Sequence, residues 1–284
     1  MSEEKFTIGI VGLGLMGASL AYALRGFRSA RLLGTDADNL VCRRAEAAGA
    51  VHRATDDTRE VVAAADLLVF CVYAHHIPAI LAEHARHLKP GAVVSDICGV
   101  KTPLYAAIAP LLPEGVDYVG VHPMAGKERD GFENAEAGLY RGSGFLITPT
   151  ARSSPQSVEL MKALARHIGA SRLQVTSPEA HDALIAYTSD LMHIAAAGLC
   201  VHPHPAIHPA FTAGAFRDCT RVADINADAW TELLMDNRAH TTASLEQYIA
   251  DLTTIRDALA AQDKPALRAL LQTAGENKRE MLQR

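Results

Sequence analysis

Ten residues near the start of the chain, Ile8-Gly9-Ile10-Val11-Gly12-Leu13-Gly14-Leu15-Met16-Gly17, constrain the fold more than any other stretch. An apolar run leads into Gly12, Gly14 and Gly17 at GxGxxG spacing, and an amphipathic helical segment follows through Arg25. Gly12 permits the tight turn, Gly14 lets backbone approach a phosphate, and Gly17 lets the helix lie close on the strand. The positive end of the helix then faces the loop, where it attracts a pyrophosphate. Contacts to a dinucleotide are expected from Gly12, Leu13, Gly14, Leu15, Met16 and Gly17. Asp36 ends the second strand about twenty residues further on, where an acid hydrogen-bonds ribose hydroxyls and repels a 2′-phosphate. No arginine follows until Arg43, which favours NAD over NADP. The competing explanation for Asp36 is an ordinary N-cap of the helix that begins near Asp38.

The rest of the first half keeps the βα rhythm of a doubly wound parallel sheet. Strands are predicted at Phe6-Val11, Arg31-Thr35, Leu67-Val72, Ala92-Ser95, Val116-Val121, Phe145-Thr148 and Arg172-Val175. Helices are predicted at Leu15-Arg25, Asn39-Ala48, Ile77-His87, Pro103-Leu111 and Ser154-Gly169. From Ser177 the pattern changes. Ser177-Pro178-Glu179 has the form of an N-cap with a first-turn proline and acid, opening a long helix to about Leu199. The proline-rich tract from His202 to Pro209 cannot continue that helix and is predicted to be a stiff loop. Helical stretches follow at about 211–223, 228–259 and 264–282. The expected architecture is α/β: an N-terminal Rossmann domain over residues 1–176, then an all-helical domain over 177–284. The helical part has more apolar face than one sheet domain hides, so a homodimer built through it is expected.

Composition narrows the partners. The net charge is −5 and no basic run occurs, which argues against a nucleic-acid or anionic-membrane partner and for a small-molecule ligand. The five cysteines are odd in number and lack CxxC spacing, so reduced thiols are expected and no metal site. No apolar run approaches the ~18 residues of a membrane span, and the acidic N-terminus leads directly into a strand. A cytoplasmic protein is expected.

The third strand ends at Val72, at the carboxyl edge where open α/β sheets bind ligands, so backbone there is expected to line the cofactor. The segment Gly120-Val121-His122-Pro123-Met124-Ala125-Gly126-Lys127-Glu128-Arg129-Asp130-Gly131 holds one histidine in a glycine-punctuated turn directly after an apolar strand. Pro123 pushes His122 toward extended geometry, which gives its imidazole a defined direction. With an unperturbed pKa of ~6.5, such a group can take a proton at neutral pH. Taken alone, a strand-end histidine bonded to nearby backbone is the commoner explanation.

Four further segments change that balance. They are Ser95-Asp96-Ile97-Cys98-Gly99-Val100-Lys101, Thr188-Ser189-Asp190-Leu191-Met192-His193, Phe216-Arg217-Asp218-Cys219-Thr220-Arg221, and Ala229-Trp230 through Asn237-Arg238. With the glycine fingerprint and the His122 segment, the chain resembles the prephenate and arogenate dehydrogenases of tyrosine biosynthesis over nearly its whole length. The resemblance implies NAD-dependent oxidative decarboxylation of a cyclohexadiene, prephenate or arogenate, with aromatisation of the ring. It implies that His122 is the base that accepts the proton of the ring hydroxyl. Arg221 matches a substrate-binding arginine, and His193 a second histidine near the substrate. Ser189 and Lys101 are further candidates for substrate contact, although a surface lysine at a helix start is the simpler account of Lys101. A buried helix histidine is as good an account of His193, and packing is the default for Trp230.

One position departs from the pattern. Family members commonly carry a serine that orients the catalytic histidine near the nicotinamide; Gly99 stands there instead, still expected beside the cofactor but without a hydroxyl. A β-hydroxyacid-type dehydrogenase and a non-catalytic NAD-binding sensor are the competing functions. An acid facing the substrate side chain would favour arogenate, and Asp190, Asp218 and Asp224 are the candidates.

Overall fold

A computed structural model of the chain describes residues 5–127 and 129–281. Glu128, residues 1–4 and the last residues from Leu282 of the final expected helix lie outside the described residues. The strands are β1 (Thr7–Val11), β2 (Arg31–Thr35), β3 (Arg53–Thr55), β4 (Leu67–Phe70), β5 (Val93–Asp96), β6 (Asp117–Met124), β7 (Gly144–Pro149) and β8 (Arg172–Val175). They form one sheet in the order β3-β2-β1-β4-β5-β6-β7-β8.

Alternation along the strands builds a core on each face. Ile8 and Ile10 of β1, with Leu67 and Val69 of β4, point to one side, where α1 (Leu15–Ala23), α2 (Asn39–Ala47) and α6 (Pro155–His167) pack. Val11, Leu68 and Phe70 point to the other, against α3 (Thr58–Ala64), α4 (Ile77–His84) and α5 (Thr102–Ile108). Burial on both faces is why these strands read as continuous apolar runs. It also explains α1, which is buried over most of its surface rather than on one amphipathic stripe.

The sheet is not parallel throughout. β7 runs antiparallel to β6, with His122 opposite Leu146. Parallel neighbours need a crossover, usually a helix, and among its described residues the connection from Ala125 to Ser143 holds short turns, including Phe132–Asn134, but no α-helix. That connection therefore stays at the carboxyl edge and forms a wall of the central cleft. Two elements were not predicted. β3 has three partly exposed residues, too short for an apolar run, and α3 has seven.

After β8 the described chain is helical. α7 (Pro178–Ile185), a π-helical turn (Ala186–Asp190) and α8 (Leu191–Val201) form one continuous rod, capped by Ser177 accepting from the Ala180 amide. The rod is 24 residues long and holds an 18-residue window of mean hydropathy 1.5, enough by length and composition to cross a membrane, contrary to the expectation of no such segment. His181, Asp182 and Asp190 on the rod are nevertheless buried and hydrogen-bonded inside the fold. α9 (Gly214–Thr220), α10 (Ala227–Asp236), α11 (Arg238–Ala260) and α12 (Lys264–Met281) follow. The single helix expected over 228–259 is broken at Asn237, whose buried amide bonds the Asp182 carbonyl at 3.0 Å and the Asp190 carboxylate at 2.8 Å.

Candidate active site

The glycine loop performs the three roles its spacing implies. Gly12 has φ +91°, and a Cβ there would lie 2.6 Å from the Cys71 carbonyl oxygen. A Cβ on Gly17 would lie 1.9 Å from the Gly12 carbonyl oxygen, so only glycine lets α1 approach the loop. A Cβ on Gly14 meets nothing within 4 Å, because Gly14 faces a groove. Gly12, Gly14, Leu15, Met16, Asp36, Val72 and Gly126 line that groove. Asp36 is not the N-cap of α2; Asp38 is, accepting from the Leu40 amide. The Asp36 carboxylate instead accepts from the Leu13 amide at 2.8 Å, tying β2 to the glycine loop while facing the groove. The Leu13 side chain is buried in the core and its amide donates to Asp36, so only its remaining backbone is left for the expected cofactor contact. The residues present fit a dinucleotide, with a bare Gly14 at a helix N-terminus and an acid at the ribose position.

His122, near the end of β6 and half-buried, lines a second cleft of about 770 Å³ that shares Tyr73, Gly126, Lys127 and Asp130 with this groove. Its Nδ1 lies 3.0 Å from Nε2 of His181 on α7. His181 Nδ1 lies 2.8 Å from Asp182 Oδ1, and both residues are fully buried. The Asp182 carboxylate also accepts from the backbone amides of Lys101 at 2.9 Å and Thr102 at 2.8 Å. Burial pushes the Asp182 carboxyl up, but these hydrogen bonds outweigh it and hold it below the usual carboxylate range. For His122, burial, the Lys101 charge and His181 together push the imidazole well below its ordinary value. It is a neutral base. Cys71 and Cys98, at the groove floor, are pushed up by burial and stay thiols.

Lys101 is corrected as a substrate contact. Its side chain is 1% exposed and its ammonium donates to Asp96 Oδ1 and to the Val121 carbonyl, each at 2.5 Å. Tyr118 completes the buried cluster through a hydrogen bond to Asp96 Oδ2. The lysine fixes the strand that carries His122 rather than reaching the cleft. At Gly99 a Cβ would lie 2.9 Å from Leu233 Cδ1 and 3.9 Å from His122 Cε1. Leu233 of α10 thus fills the space of the missing hydroxyl, and Gly99 lines a pocket with Met16, Val72, Cys98 and Trp230.

Across the cleft stand Ser189, His193, Arg221 and Trp230. The π-helical turn widens the rod at Ser189, whose carbonyl accepts from His193 Nδ1 at 2.9 Å, leaving His193 Nε2 toward the cleft. The His193 ring lies on Trp230 with centroids 3.6 Å apart, so packing and cleft exposure coincide there. Arg221, in the turn after α9, brings a guanidinium to the same wall. Of the candidate acids only Asp224 lines the cleft; Asp130, from the loop after β6, joins it. Asp190 is corrected: it is buried and accepts from Asn237 and Thr241, each at 2.8 Å. Sequence reasoning missed His181 and Asp182. The only signal was the adjacent His-Asp pair one turn beyond the N-cap Ser177 of α7.

Comparison with known proteins now decides the family. Models of the prephenate dehydrogenase nucleotide-binding domain and dimerization domain match residues 20–174 and 177–273. The chain belongs to the prephenate dehydrogenase family. Cyclohexadienyl dehydrogenase of Zymomonas mobilis is 31% identical over 90% of this chain and 89% of its own. Arogenate dehydrogenase of Synechocystis superposes with TM-score 0.84 at 27% identity, over 97% of this chain and 100% of its own. Prephenate dehydrogenase of A. aeolicus, solved with hydroxyphenyl propionate and NAD+, has TM-score 0.86 at 24% identity, over 99% of this chain and 100% of its own, and shares the fold. The family's two parts correspond to the sheet with its flanking helices and to the helical rod with α9–α12.

Proposed function

We propose that the protein is an NAD-dependent prephenate or arogenate dehydrogenase. The observation that carries this reading is a neutral, half-buried His122 in a cleft walled by Arg221 and His193 that adjoins the dinucleotide groove. NAD, when bound, supplies the hydride acceptor. Gly14 and the N-terminus of α1 would hold its pyrophosphate, and Asp36 its adenosine ribose, where a 2′-phosphate would be repelled. His122 Nε2 accepts the proton of the substrate's ring hydroxyl, which drives electron density toward the carbon that loses hydride. The ring carboxylate leaves as carbon dioxide and the ring becomes aromatic. Arg221 suits bidentate capture of a substrate carboxylate, with His193 Nε2 and Ser189 as further polar contacts.

Retention of a base, an arginine and a polar cleft together supports an enzyme over a sensor that only binds nucleotide. A His122→Asn variant is expected to slow turnover at least ~100-fold while titration still shows unchanged NAD affinity. Full activity in that variant would sink the mechanism.

A further inference from the structure

The imidazole of His122 has no hydroxyl beside it at Gly99, yet its orientation is fixed. Asp182 is an acceptor only, since two backbone amides already donate to it. His181 Nδ1, 2.8 Å away, must therefore carry the hydrogen of that contact. A neutral His181 then presents a lone pair at Nε2 to His122 Nδ1, 3.0 Å away. His122 Nδ1 must in turn be the N–H, which leaves its lone pair on Nε2, the nitrogen turned to the cleft. One buried carboxylate sets the tautomers of two imidazoles in series. A protonated His181 would reverse the second bond and turn His122 Nε2 into a donor, unable to take a proton.

We propose that His181 and Asp182 are positioning residues that also carry the charge of catalysis: the proton taken by His122 is relayed inward, and the cation rests on His181 against Asp182. This rests on the reading of His122 as the base. The substrate O–H bond breaks as N–H forms at His122 Nε2. The His122 Nδ1–H bond breaks as N–H forms at His181 Nε2. His122 stays neutral, with its hydrogen now on Nε2, and His181 becomes an imidazolium beside a carboxylate. As the ring aromatises, His122 Nε2 returns its proton to the phenolate oxygen and the inner proton returns from His181 to His122 Nδ1, so the product leaves as a phenol. The relay places the positive charge where the site can hold it. Burial and the Lys101 ammonium both oppose a cation on His122, whereas His181 has Asp182 in contact. The other charged group coupled to this pair is Asp190, behind Asp182 on the π-helical turn.

The test uses the whole enzyme, in H2O–D2O mixtures and with a His181→Gln variant. Glutamine can still hydrogen-bond His122 but cannot carry the proton. Under conditions where deuterium on the carbinol carbon slows turnover, the wild-type rate is expected to curve with deuterium fraction, as two protons in flight require. In His181→Gln that curve becomes linear, and kcat falls about 10-fold or more with KM and NAD affinity within about twofold. A linear wild-type response overturns the relay without any variant. A His181→Gln enzyme that keeps its rate, or loses it with the curve unmoved, overturns it as well. Failure of the underlying reading would look different, as activity that survives His122→Asn.

Discussion

At the scale of residues, the site divides into groups that announce themselves and groups that only the fold assembles. The glycine loop and the His122 segment are local: their spacing dictates a turn geometry, and the turn dictates which atoms face the groove. Asp36 is half local, since its distance from the glycines fits a ribose contact but only the capping of α2 by Asp38 excludes the N-cap explanation. His181 lies 59 residues from His122, and nothing periodic links them. Lys101 and Asp190 misled for a related reason. Charged residues are seldom fully buried, so exposure is the sound default, and here paired partners override it. The state of His122 gives a direct expectation for pH. The base works only when neutral, and its environment lowers its pKa from 6.5, so the loss of kcat/KM on acidification is expected entirely below that pH. A limb centred above pH 6.5 in the pH–rate profile would show that the buried surroundings do not act on the base as described.

At the scale of elements, apolar runs and caps located seven strands and most helices within a few residues, because each is buried or capped by its own sequence. The departures follow from context. β3 is too short to carry a pattern, β7 is reversed because its connection lacks a helix, and Asn237 breaks a helix to satisfy Asp182 and Asp190. The late helices also leave apolar faces uncovered. Ile249, Leu252 and Leu259 of α11 and Leu271 of α12 are each about half exposed, on the part matched by the family's dimerization domain. Such a surface favours association through these helices. Sedimentation is expected to give twice the 30.3 kDa chain mass, and a Leu252→Asp variant is expected to shift the distribution toward monomer. A wild-type species at the chain mass across micromolar concentrations would contradict this.

At the scale of the whole molecule, the proposed site lies where the two parts meet. The sheet contributes the cofactor groove and His122; the helical rod contributes His181 from behind and Ser189 and His193 from across the cleft. Neither part holds a working site alone, which is why the sequence segments pointing to it are spread from Gly12 to Arg221. Two acids, Asp130 and Asp224, line the cleft, so charge at the substrate side chain separates a keto from an ammonium form. The central claim is tested most directly by steady-state nicotinamide reduction by the purified protein, with prephenate and arogenate each paired with NAD and NADP. The account predicts turnover of at least one of the two substrates, with release of carbon dioxide and with NAD preferred. Absence of turnover with both substrates, in protein that binds NAD, would contradict it.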